Sequence, residues 1–172
     1  MASLIENLIS VLEQESVEYE ALLGLSMKKT PIIVRGDLQA LQQITDEEQA
    51  VVTKINHLEN QRTELMKDIA NVTNKDVNNL KLVNLIQMLE SRPAESQRLA
   101  AVHDKLKTVV RNMKRVNEQN GELISHSLEM VAFDMNLLQA MKAAPETANY
   151  NKGAYTAGDV IGTDRGGFDA KS

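Results

Sequence analysis

The side chains able to do chemistry in this 172-residue chain are few and scattered. Cysteine is absent, which closes off disulfides, thiol nucleophiles and thiolate metal ligands together. Three histidines remain: His57, His103 and His126. A di-iron centre in a helical protein needs Glu-x-x-His pairs projecting inward. Lys54, Ala100 and Leu123 stand three residues before these histidines, and none is acidic. His126 does follow Glu122 by four, but on a helix that spacing is usually an ordinary solvated contact. No glycine-rich phosphate loop or nucleophile elbow occurs, and local spacing suggests no Ser/His/Asp set. The residues point away from an enzyme and imply neither a metal nor a cofactor.

Charge is distributed more tellingly. Between Ser3 and Met27 stand Glu6, Glu13, Glu15, Glu18 and Glu20, with no base among them. Glu6, Glu13 and Glu20 are seven apart and fall on nearly one face of a helix. Between Arg92 and Arg115, seven bases oppose only Glu95 and Asp104. Two readings stand: complementary solvated faces of neighbouring helices, each pair worth under ~1 kcal/mol, or a charged rim that steers a partner into a groove. The net charge of −5 and the lack of aromatics interleaved with the bases argue against nucleic acid.

The elements that position these groups are helical. With 42% apolar and 25% charged residues the chain has globular composition, and with 3% aromatics a β-sandwich or barrel is a poor expectation. Ser3 and Glu6 read as a capping box opening a first helix, whose stripe includes Leu4, Leu8, Val11, Leu22 and Leu25. Lys28 and Lys29 suit the negative end of that helix. Thr30-Pro31 allows either a cap and restart or one helix kinked at Pro31, and both stay open. Gly36-Asp37 can end one helix and cap the next. From Leu41 through Ile44, Glu48, Val51, Ile55, Leu58, Arg62, Leu65 and Ile69 the steps are three and four, a coiled-coil-like seam broken by two charges. Asn71 to Lys75 is a polar break, after which Asn74 or Asp76 can cap a shorter helix from Val77 to Leu89.

The last helix is expected from Pro93 to Ala144, about 75 Å at 1.5 Å per residue. Leu99, Val102, Leu106, Val109, Met113, Val116, Asn120, Leu123, Ser127 and Met130 hold its spacing before Val131, Met135 and Leu138 take over. The predicted fold is all-α, an elongated antiparallel bundle of long coiled-coil-like helices over residues 1–144. Residues 145–172 hold five of the eight glycines and three of the five aromatics, which predicts a flexible, disordered C-terminal tail. Few and long helices leave part of the apolar seam unclaimed, and Met113, Met130, Met135 and Met141 make that part adaptable. No basic leader and no membrane-length apolar run is seen, so a cytoplasmic protein without membrane insertion is expected.

One stretch resembles a known family. Asn117-Glu118-Gln119-Asn120-Gly121-Glu122-Leu123-Ile124-Ser125-His126-Ser127-Leu128 is similar to the N-x-x-N-x-x-L-I-x-x-S-L signature late in the last helix of FlgN-type flagellar export chaperones. Gly36-Asp37-Leu38 followed by Leu41, Ile44 and Glu48 resembles a second segment of that family, and the tail from Asn149 to Lys171 is more loosely similar. Pro31 departs from the pattern.

The resemblance implies a cytoplasmic chaperone of flagellar type III export. Such proteins bind the C-terminal amphipathic helix of hook-associated, hook–filament junction proteins, prevent early polymerisation and deliver them to the export gate. On that reading Leu123, Ile124, Leu128, Val131, Met135, Leu138 and Met141 are the candidate client-binding residues. Asn117, Asn120 and Ser127 are candidate register and structural residues, as polar seam positions usually are. Tyr150 and Tyr155 are candidates for docking to the gate. The free state is expected to be a monomer or a homodimer. The competing reading is a self-associating structural coiled coil or bundle with no client.

Overall fold

The computed structural model describes residues 1–143. They form α1 (Ala2–Arg35), α2 (Leu38–Thr73), a 3-10 turn (Val77–Asn79), α3 (Leu82–Met88) and α4 (Pro93–Ala143), with no strand among the described residues. The chain divides into two units, one over Met1–Gly121 and one beginning at Glu122.

Within the first unit, α1 and α2 are antiparallel. Tyr19 meets Glu59, Ser26 meets Glu48 and Glu15 meets Arg62, so one number rises as the other falls. The reversal is made at Gly36, whose φ of 67° suits a residue without Cβ. Its N–H donates to Ile33 O at 3.1 Å and that of Asp37 to Ile32 O at 3.3 Å, satisfying the last carbonyls of α1. Asp37 then caps α2 by accepting from Ala40 N at 3.0 Å, as the dipeptide suggests. The end of α2 repeats the device with Asn74, at φ 52°. The first part of α4 runs parallel to α1, since Glu6 and Glu13 meet Arg98 and Glu20 meets Lys105. The common core joins Ile5, Leu8, Ile9 and Leu12 of α1, Ile69 of α2, Leu85 of α3, and Leu99, Val102 and Leu106 of α4. The acidic heptad face is thus paired with bases of a neighbouring helix.

Several local expectations are corrected. The helix begins at Ala2 with Met1 before it and no side-chain cap, and Glu6 is held by Arg98 at 2.7 Å instead of closing a box with Ser3. The Pro31 alternatives resolve to one helix, continuous from Ala2 to Arg35. Proline lacks the N–H that would bond four residues back. It is tolerated here one turn from the helix end, on the exposed side. Lys29 therefore lies before the helix terminus and serves another purpose, an ion pair with Glu48 at 2.9 Å. The third helix starts at Leu82, not Val77. Asp76 accepts from Asn78 N at 3.0 Å and caps only the 3-10 turn, and Asn84 Oδ1 accepts from Lys81 N at 3.0 Å to open α3.

Candidate functional site

The two charges that break the α2 seam are held by α1. Glu48 accepts from Ser26 Oγ at 3.1 Å as well as from Lys29. Arg62 Nη1 donates at 3.1 Å to Glu15, whose side chain is fully buried. Burial, opposed by the Arg62 charge and reinforced by the nearby Glu59 carboxylate, raises the Glu15 carboxyl above its ordinary value. Glu15 Oε1 and Ser16 Oγ are buried without a partner. Tyr19 OH donates to Glu59 Oε1 at 2.7 Å, and burial and that bond push its phenol upward.

Asn120 fixes α4 against α1. It is buried, its Nδ2 donates to Ser26 O at 2.8 Å, and its Oδ1 accepts from Thr30 Oγ1 at 2.6 Å. An amide with both ends bonded to one turn of a neighbour tolerates neither a slide nor a rotation. The polar pair in the motif therefore divides. Asn117, the other register candidate of the pair, is exposed, because the seam passes through Val116 and Asn120 and leaves Asn117 outside. Ser127, also exposed, donates to Leu123 O of its own helix at 2.9 Å.

The second unit carries the apolar candidates. Leu123 and Ile124 are half-buried. Leu128 is 58% exposed, Val131 54%, Met135 57%, Leu138 57% and Met141 66%. At about 100° per residue, Ile124, Leu128, Val131, Met135 and Leu138 share an arc of about 80°, with Leu123 and Met141 about 60° beyond its edge. The stripe is about 27 Å long at 1.5 Å per residue. Met130, Phe133 and Leu137 are exposed as well; the seam read from the sequence reaches Met130 and then shifts by one to Val131, which leaves out Phe133 and Leu137. Continuing by three and four from Met130, without that shift, reaches both.

The histidines contact sequence neighbours: His57 with Gln61 at 3.2 Å, His103 with Asp104 at 3.2 Å, and His126 with Glu129 at 3.8 Å. Among the described residues no three His, Asp or Glu side chains stand together as metal ligands, and no helix is long and apolar enough to cross a membrane. Tyr150, Tyr155 and the segment 145–172 lie outside the described residues.

No curated protein and no solved structure matches the chain. The FlgN protein family model matches residues 1–158, which takes in every candidate residue, Tyr150 and Tyr155 included. With nearly its whole length matched and its described residues all helical or in short connections, this chain belongs to the FlgN family of flagellar export chaperones.

Proposed function

We propose that α4, between Leu123 and Met141, receives the C-terminal amphipathic helix of a hook-associated protein, holds it from polymerising and carries it to the export gate in the cytoplasm. The observation that carries this reading is the run of half-exposed Leu, Val and Met side chains in a chain of a chaperone family. Soluble proteins rarely leave a contiguous apolar stripe uncovered unless something else covers it. A client helix that orders on binding costs conformational entropy, so the complex stays reversible, as a carrier requires. Asn120 serves by holding α4 in register, not by touching the client.

The residues divide, on this proposal, into a helical chaperone domain over 1–144 and a tail over 145–172 that docks on the gate through Tyr150 or Tyr155. The test is the full chain carrying Leu128→Asp and Met135→Asp, titrated with a hook-associated C-terminal peptide. Burying two carboxylates in an apolar contact is expected to weaken binding by at least about a hundredfold, with helicity unchanged by circular dichroism. A chain ending at Pro145 is expected to keep the peptide and lose the gate. Unaltered peptide affinity in the double variant refutes the surface. A wild-type chain that light scattering finds only as an oligomer, with no peptide affinity, supports the self-associating alternative.

A further inference from the structure

We infer that α4 carries a second docking face, formed by Met130, Phe133 and Leu137 with Met141 at its edge, that takes an amphipathic helix bordered by lysine or arginine. The inference rests on the reading of α4 as a client-binding helix and adds a second segment to it. These side chains are 68%, 56%, 46% and 66% exposed. Spaced by three, four and four, they form one stripe. Its centre lies about 145° around the helix from that of the stripe through Leu128 and Met135. One packed helix covers an apolar arc of about 100°, so an occupant of the first stripe leaves Met130, Phe133 and Leu137 in water. A helix apolar on both flanks is suited to burial between two neighbours.

The borders identify the occupant. Glu129 lies beside Phe133 on one side and Asp134 beside Met130 on the other, each within about 40°, and Glu122 shares the side of Glu129 about two turns before the stripe begins. All three are exposed. His126 also faces this side, 3.8 Å from Glu129, whereas Lys142 falls on the phase of the first stripe. Acidic edges repel an acid-flanked helix and attract a basic one. They also disfavour a second copy, because the same stripe paired with itself sets Glu129 and Asp134 of both chains edge to edge. The chain's own segment 144–172 is a poor match too, with Glu146, Asp159, Asp164 and Asp169 against Lys152, Arg165 and Lys171.

The test uses the full chain with Leu128→Ser and Met135→Ser, which disables the first stripe without adding charge. Two designed peptides share one Leu/Ala stripe and differ only in Lys or Glu at the flanking positions. This variant is expected to bind one Lys-flanked peptide and to bind the Glu-flanked one at least about tenfold more weakly. Adding Phe133→Ser and Leu137→Ser is expected to abolish binding, and adding Glu129→Lys and Asp134→Lys instead is expected to reverse the preference. Equal affinity for both peptides, binding that survives Phe133→Ser with Leu137→Ser, or a dimer dispersed by that pair overturns the inference. The hook-associated peptide, tried on the same starting variant, separates the two proposals. If it still binds at full strength the first stripe is misassigned; if it is lost and the Lys-flanked peptide also fails to bind, only the second face is.

Discussion

Replacing Arg62 by Met isolates what a buried charge costs this bundle. Glu15 is fully buried, receives one charged bond of 3.1 Å, and has a second oxygen with no partner. Breaking a buried pair by removing one partner costs about 3–5 kcal/mol. Arg62 is itself 36% exposed, so solvent already screens the attraction and the cost falls to about 2–3 kcal/mol at pH 7. The pH dependence follows from the direction of the shift. Glu15 holds its proton to higher pH in the folded than in the unfolded chain. Its contribution is therefore greatest below the unfolded carboxylate value and is lost as pH rises through the folded value. Removing Arg62 raises the folded value further, so the penalty should shrink steadily as pH is lowered from 7 toward 4.5, the ordinary value for this carboxyl. Glu15→Gln should be equal to wild type or about 1 kcal/mol more stable at pH 7 and should remove this part of the pH slope. Urea midpoints at constant m-value, taken at several pH values, measure all three chains. A penalty for Arg62→Met that is under about 0.5 kcal/mol, or that is the same at pH 4.5 and 7, refutes the reasoning.

Asn120→Ala removes two hydrogen bonds to α1 and leaves a small void, a loss of about 2 kcal/mol by urea unfolding. A cycle with Thr30→Val should show a coupling of about 1 kcal/mol, whereas strict additivity would mean that the 2.6 Å contact contributes nothing. Gly36→Ala meets no neighbour within 4 Å, so its cost comes from the φ of 67° alone: about 1 kcal/mol, with the helical circular-dichroism spectrum retained.

What could be read from the sequence was whatever is local and periodic. Apolar residues at three and four steps placed α2 and α4 within a few residues, Gly36-Asp37 located the reversal, and Pro93 opened α4. Less legible was whatever depends on a neighbour distant along the chain. Glu48 and Arg62 stood out as interruptions, but only the packing of α1 shows that Lys29 and Glu15 receive them. Ser3 and Glu6 have the spacing of a capping box, and a stronger partner, Arg98, took the carboxylate. The start of α3 is not legible because Asp76 can cap any first turn, helical or 3-10, and local chemistry does not distinguish them. In the candidate site, the first stripe was legible as the residues that take the seam over at Val131, Met135 and Leu138. The second continues from Met130 by threes and fours, and exposure brought Phe133 and Leu137 into view.

The placement of methionine bears on what α4 is suited to hold. The fully buried apolar side chains of the bundle are Ile5, Leu8, Ile9, Leu12, Ile69, Leu85 and Leu99. These have few rotamers and specify one packing. None of the eight methionines is among the buried residues, and Met130, Met135 and Met141 are at least 57% exposed. An exposed stripe of Leu, Ile and Val without methionine would fit one partner shape closely and would invite self-association. Methionine gives up some of that fit: fixing each side chain costs up to about 2 kcal/mol of rotamer entropy, but its unbranched thioether adapts to different surfaces. A carrier of amphipathic helices whose sequences differ needs that compromise, with lower affinity for each client in exchange for acceptance of several. The fully buried apolar positions carry only rigid side chains, while Met135 and Met141 stand among Leu128, Val131 and Leu138 where, on the proposed reading, the other half of the contact belongs to another protein.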